Sequence, residues 1–167
     1  MIDRYQRLAE RLRIELADLE REVQRAQTSW DTASRAGAAQ DAYIDSVALN
    51  LHGFYSGAER LFELIAAQVD EEIPGGEAWH RELLDRMTQA VPEVRPGVIR
   101  PETAVALDEF RKFRHLVRNV YTFNLNPAKM KNLLSALPDS WRSLKEDLTA
   151  FASFLVQISH SDETADE

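Results

Sequence analysis

The sequence predicts an all-α protein, an antiparallel helical bundle of four principal helices with shorter ones between them. Three observations carry this expectation. Apolar residues recur at steps of three and four along almost every segment, the period of a helix with one buried face. No stretch reads as a strand. Ser34-Arg35-Ala36-Gly37, Glu71 to Gly76, Pro92 to Pro101 and Asn124 to Pro127 cut the chain into helix-sized pieces with loops short enough to make neighbours antiparallel. A length of 167 residues, 44% of them apolar, suits one domain around one core, expected over residues 1–160, with 161–167 as an acidic, disordered tail.

Each element has its own justification. From about Asp3 to Ala33, Tyr5, Leu8, Leu12, Leu16, Leu19, Val23 and Ala26 form a single apolar stripe, and the opposite face is dense in Arg and Glu, as on a solvated helix. From about Gln40 to Asp70 the apolar arc is wider (Val47, Leu51, Phe54, Tyr55, Ala58, Leu61, Phe62, Ile65), so this helix should lie deeper. A shorter helix is expected over roughly Glu77 to Ala90, with Trp79, Leu83, Leu84 and Met87 on one side. Pro101 suits the first turn of the next helix, where Glu102, Asp108 and Glu109 complement the positive end of the helix dipole. Asn126 followed by Pro127 reads as a cap and first helical position, opening a short helix through Leu137. Pro138 should end it, and Asp139 or Ser140 should cap a last helix carrying Trp141, Leu144, Leu148, Phe151 and Leu155.

Composition excludes several chemistries. With no cysteine there is no disulfide framework, thiolate metal site or thiol nucleophile. The amino-terminal residues are charged and lack the apolar centre of a signal peptide, and no apolar run approaches the roughly 20 residues that span a bilayer, so a cytoplasmic protein without a membrane partner is expected. Pro74-Gly75-Gly76 lacks the lysine and preceding strand of a phosphate-binding loop. His52, His80 and His160 are scattered without metal-ligand spacing and read as structural or solvent-facing, and Asp70-Glu71-Glu72 reads as a solvated helix end.

Against a net charge of −8, the stretch from Phe110 to Pro138 contains no Asp or Glu, while Arg111, Lys112, Arg114, Arg118, Lys129 and Lys131 are cationic. A local positive field in an acidic chain suits a phosphate or another polyanion. At about 100° per residue, Arg114 and Tyr121 fall on nearly one line with Arg111 and Arg118 beside it, and His115 and Asn119 form a second row. Any one of these residues alone reads as the wet face of a helix. Their combination, presenting guanidinium, imidazole, carboxamide and phenol to one space, points to a site.

The run Arg114, His115-Leu116-Val117-Arg118, Asn119, Val120, Tyr121 resembles the signature of the HEPN superfamily, and in particular of the HepT-like ribonuclease toxins: an arginine, four residues often opening with a polar one, a histidine, any residue, a tyrosine. Arg114, His115 and Tyr121 match; Asn119 stands where the histidine belongs. The resemblance implies a HEPN-like helical bundle with the motif on a late helix, and a metal-independent endoribonuclease that works on RNA as a homodimer, without cofactor, its motif helices facing each other across a basic cleft. It implies catalytic roles for Arg114, His115, Asn119 and Tyr121, and phosphate contacts from Arg111 and Arg118. It also implies a partner, an MntA-like nucleotidyltransferase antitoxin that neutralises the toxin by AMPylation of the motif tyrosine, Tyr121 here.

The chemistry can be judged beside the resemblance. Cleaving RNA without metal needs a base for the ribose 2′-hydroxyl, positive charge on the phosphoryl oxygens and a proton for the leaving oxygen. Arg114 and Arg118 can supply the second. Asn119 carries no titratable proton, so His115 would have to transfer it. Three readings of Asn119 stay open: a variant that still cuts, a naturally inactive homologue, or an engineered silencing. Two rivals stand beside the nuclease, a non-catalytic module that binds nucleotide or its nucleotidyltransferase partner, and a helical assembly subunit joined through the long first helix.

Overall fold

The computed structural model describes residues 2–119 and 124–165, with side chains over 4–119 and 124–161. Five α-helices follow one another: α1 (Ile2–Ala33), α2 (Gln40–Ile65), α3 (Trp79–Met87), α4 (Pro101–Asn119) and α5 (Pro127–Ala165). Among the described residues there is no strand, only one isolated bridge between Val91 and Arg95 in the loop before α4. No helix there is long and apolar enough to cross a membrane.

The apolar stripe of α1 is buried as its spacing requires, with Leu8, Leu12, Leu16, Leu19 and Val23 each at most 5% exposed. It packs against both α2 and α5. Arg4 near the start of α1 reaches Glu71 beyond the end of α2 at 3.4 Å, while Ser29 near its end meets Ser46 near the start of α2 at 3.1 Å, so the two run antiparallel. Gly53 and Gly57, one turn apart on α2, permit a close approach: a Cβ would come within 2.5 Å of Glu22 Oε1 at the first and of Leu19 Cδ2 at the second. On another side of α2, Phe54 meets Phe110 of α4 edge-on at 5.2 Å and Trp141 of α5 at 6.4 Å, joining three helices in one core.

The helix expected over Gln40 to Asp70 changes character before its end. Its last turn, Ala66–Asp70, is π-helical, and Glu71 closes it in the left-handed region at φ 58°, its amide and that of Glu72 both donating to the Ala66 carbonyl. The connection from α3 to α4 is clamped by Arg95, whose guanidinium lies on Asp70 at the end of that π turn. At the other end of this connection, Asp147 of α5 accepts from the Arg100 backbone amide at 3.0 Å and the Thr103 hydroxyl at 2.6 Å, tying the amino-terminal end of α4 to α5.

Two expectations are corrected. Pro138 does not separate two helices: α5 runs unbroken from Pro127, with the Asn126 side chain capping it by accepting from the Ala128 amide at 2.9 Å. The apolar stripe continues in register through the proline, and burying Leu134, Leu137 and Trp141 at about 2 kcal/mol each outweighs the roughly 3 kcal/mol that a mid-helix proline costs. Ser140, expected as a cap, instead donates its hydroxyl to the Ala136 carbonyl at 2.8 Å inside the helix. α5 is described as far as Ala165.

Candidate functional site

The region the sequence singled out is built by α2 and α4 together. On α2, His52, Ser56, Glu59 and Glu63 recur at steps of four, three and four, a polar stripe on a helix otherwise rich in core residues. On α4, Arg111, Arg114 and Arg118 form the facing row. The stripe grades from closed to open. Glu59 and Arg114 are only 4% and 6% exposed, His52 is half-buried and Arg118 is exposed.

At the closed end Arg114 binds Glu59 with both terminal nitrogens, Nη1 to Oε1 at 2.9 Å and Nη2 to Oε2 at 3.1 Å. Nη1 also reaches the Ser56 hydroxyl at 3.4 Å, and the guanidinium lies 5.0 Å from the Tyr55 ring centre. His80 of α3, its ring stacked 3.7 Å from that of Trp79, completes the cluster: its Nδ1 is 2.8 Å from Glu59 Oε2 and 2.9 Å from Arg114 Nη2. One nitrogen cannot serve both. When protonated it donates to Glu59; when unprotonated it accepts from Arg114. Burial, reinforced by the Glu59 charge, pushes the Tyr55 phenol well above its usual range, and its hydroxyl makes no hydrogen bond to a described group. Burial and then Glu59 also raise Glu63.

At the open end, Arg118 makes no ion pair among the described residues. Burial first, then the positive fields of Arg114 and Arg118, lowers the pKa of His52 from its ordinary 6.5, so the ring is held as the neutral base.

The structure redistributes the residues expected at the site. Arg114 faces into the bundle, not into a solvent cleft, and its carboxylate-binding edge is filled by Glu59. His115 and Asn119 lie exposed on a face turned about 100° or more from it. The Asn119 side chain folds back on its own helix, donating to the His115 carbonyl at 2.7 Å. The two rows therefore do not converge within one chain. Arg111 is engaged with Asp108 at 2.7 Å, and Lys112 lies 3.3 Å from both Asp108 and Glu109. Tyr121 lies outside the described residues. The segment without acids in sequence is thus met in space by Glu59 from another helix and by Asp108 and Glu109 from the turn before.

Sequence reasoning missed Glu59, Ser56 and the positions of His52 and His80. A signal existed for the first. Glu59 stands four residues after Tyr55 and three before Phe62, inside the apolar arc of α2, where a carboxylate needs a cation across the helix interface. Among the described residues, no group of three or more His, Asp or Glu side chains could hold a metal ion.

An antiparallel all-α bundle with an arginine-led polar motif at the end of a late helix defines the class to which the sequence resemblance pointed. The family model for HepT-like proteins matches residues 46–155, from the polar stripe of α2 through the motif helix to most of α5. The chain belongs to this HepT-like family of the HEPN superfamily. No curated protein and no solved structure matches it.

Proposed function

We propose that this chain is a HepT-like toxin, a metal-independent endoribonuclease that acts on RNA as a homodimer and is neutralised by a nucleotidyltransferase antitoxin that AMPylates Tyr121. The observation that carries the reading is the family match across the motif helix, coinciding with a positive end of α4 in a chain of net charge −8. Arg118, exposed at that end, contacts the phosphate, while Arg114 stiffens the floor beneath it through Glu59. A bulky adenylyl group on Tyr121, three residues beyond Arg118, would add negative charge where RNA must approach.

The test is cleavage of single-stranded RNA by the purified chain in excess chelator. Wild type should cut, Arg118→Ala should weaken binding with a shallower salt dependence, and Arg114→Ala should abolish cleavage. RNA left intact by the wild type at high enzyme concentration sinks the nuclease reading.

A second reading has its own observation. Arg114 is already satisfied by a buried carboxylate and Asn119 by its own backbone, which suits a catalytically silent module that binds nucleotide or its nucleotidyltransferase partner. Under that reading the chain binds RNA or nucleotide without cutting it, and Asn119→His creates activity that the wild type lacks.

A further inference from the structure

Proton transfer is the function that the expected motif leaves unfilled. Asn119 carries no titratable group, and His115, exposed beside it, is turned away from the arginine row of α4. Of the four histidines in the chain, His80 has its Nδ1 committed to Glu59 and Arg114, and His160 lies near the end of α5, away from the α2–α4 interface. His52 remains. It stands one turn before Ser56 and two before Glu59, the two α2 residues that touch Arg114, and so on the same face of α2. The stripe opens towards solvent at this point, with His52 half-buried and Arg118 exposed.

We infer that His52, supplied by α2, is the proton-transfer residue of this site, a role that the motif position on α4, lacking a titratable group, leaves open. The inference rests on the ribonuclease reading. A phosphodiester held by Arg118 at the mouth of the stripe lies against His52. The neutral ring takes the proton from the ribose 2′-hydroxyl, O2′ forms a bond to phosphorus, and the bond from phosphorus to O5′ breaks. The imidazolium then returns its proton to O5′, leaving a 2′,3′-cyclic phosphate and a 5′-hydroxyl with no net change in protons. The positive fields of Arg114 and Arg118 that keep the ring neutral also favour return of that proton.

The experiment compares wild type with His52→Gln and His52→Asn on a short single-stranded RNA in excess chelator, with thermal unfolding of each protein measured alongside. Two replacements are used so that one poorly folded variant does not decide the matter. Expected is a fall in kcat of about 100-fold or more with KM within a few-fold, and loss of the acid limb of the pH–rate profile. Folded variants that cut as fast as wild type, or that raise KM while leaving kcat and the acid limb unchanged, overturn the assignment. A wild-type chain that does not cut removes the ribonuclease reading and this inference with it, a result distinct from active His52 variants.

Discussion

Arg95 and Arg114 are both buried arginines that clasp a carboxylate on the second helix, and their surroundings differ in kind. Arg95 holds Asp70, with both side chains fully buried, and its remaining donors go to the backbone carbonyls of Gln89, Pro96 and Arg86. Arg114 holds Glu59, and its remaining donors go to a hydroxyl and an imidazole, with a ring face below. Backbone carbonyls neither titrate nor rotate, so Arg95 locks the connection between α3 and α4 onto the end of α2. The companions of Arg114 can change tautomer or rotamer, and the α2 stripe they border continues to the half-buried His52. Burial of an ion pair alone therefore does not separate a staple from a site; the nature of the remaining partners does.

The strongest way to test this contrast is to remove the staple. Arg95→Ala leaves Asp70 buried with only Arg86 nearby at 3.3 Å, and should cost about 3 kcal/mol in urea unfolding while leaving RNA cleavage per folded molecule unchanged. Altered cleavage would join the two regions that the comparison keeps apart. Next in size, Glu59→Gln leaves Arg114 without its counter-charge and should cost about 2–3 kcal/mol, whereas Glu59→Leu with Arg114→Leu should regain most of that stability and still be inactive. A double variant as unstable as the sum of its parts would make Glu59 a staple like Asp70. Tyr55→Phe removes a buried hydroxyl without a partner and should raise stability by up to about 1 kcal/mol, readable as a higher unfolding midpoint.

A smaller effect concerns pH. The pKa of His52 is lower folded than unfolded, so the unfolded chain binds the proton more readily, and stability present above pH 6.5 is lost as pH falls through the folded value. His52→Gln should flatten that decline, and an unchanged stability profile over this window would contradict the positive environment assigned to the ring. The smallest change expected is from Asn119→Ala, which removes one hydrogen bond on an exposed turn and should alter unfolding free energy by no more than about 0.5 kcal/mol.

Much of the fold was legible because helices announce themselves locally. The stripe of α1, the Asn126-Pro127 cap and the break at Gly37, which is left-handed at φ 55°, all follow from neighbouring residues. Pro138 misled because its local cost was weighed without the core that holds α5 in register across it. The site was half legible for a related reason. The motif row on α4 could be read from spacing, but which way it faced depended on Glu59, 55 residues earlier, and nothing within the motif encodes that partner. His80 looked scattered because a linear reading cannot see that α3 delivers its imidazole to Arg114.

The two glycines on α2 have a consequence for that arrangement. Gly53 and Gly57 let α1 nestle against α2 on one side of the rod, while His52, Ser56 and Glu59 project from another. They act as a spacer gauge. A single methyl group added to that hidden seam at Gly57 would meet Leu19 Cδ2 at 2.5 Å, so either the leucine turns aside or the two helices part.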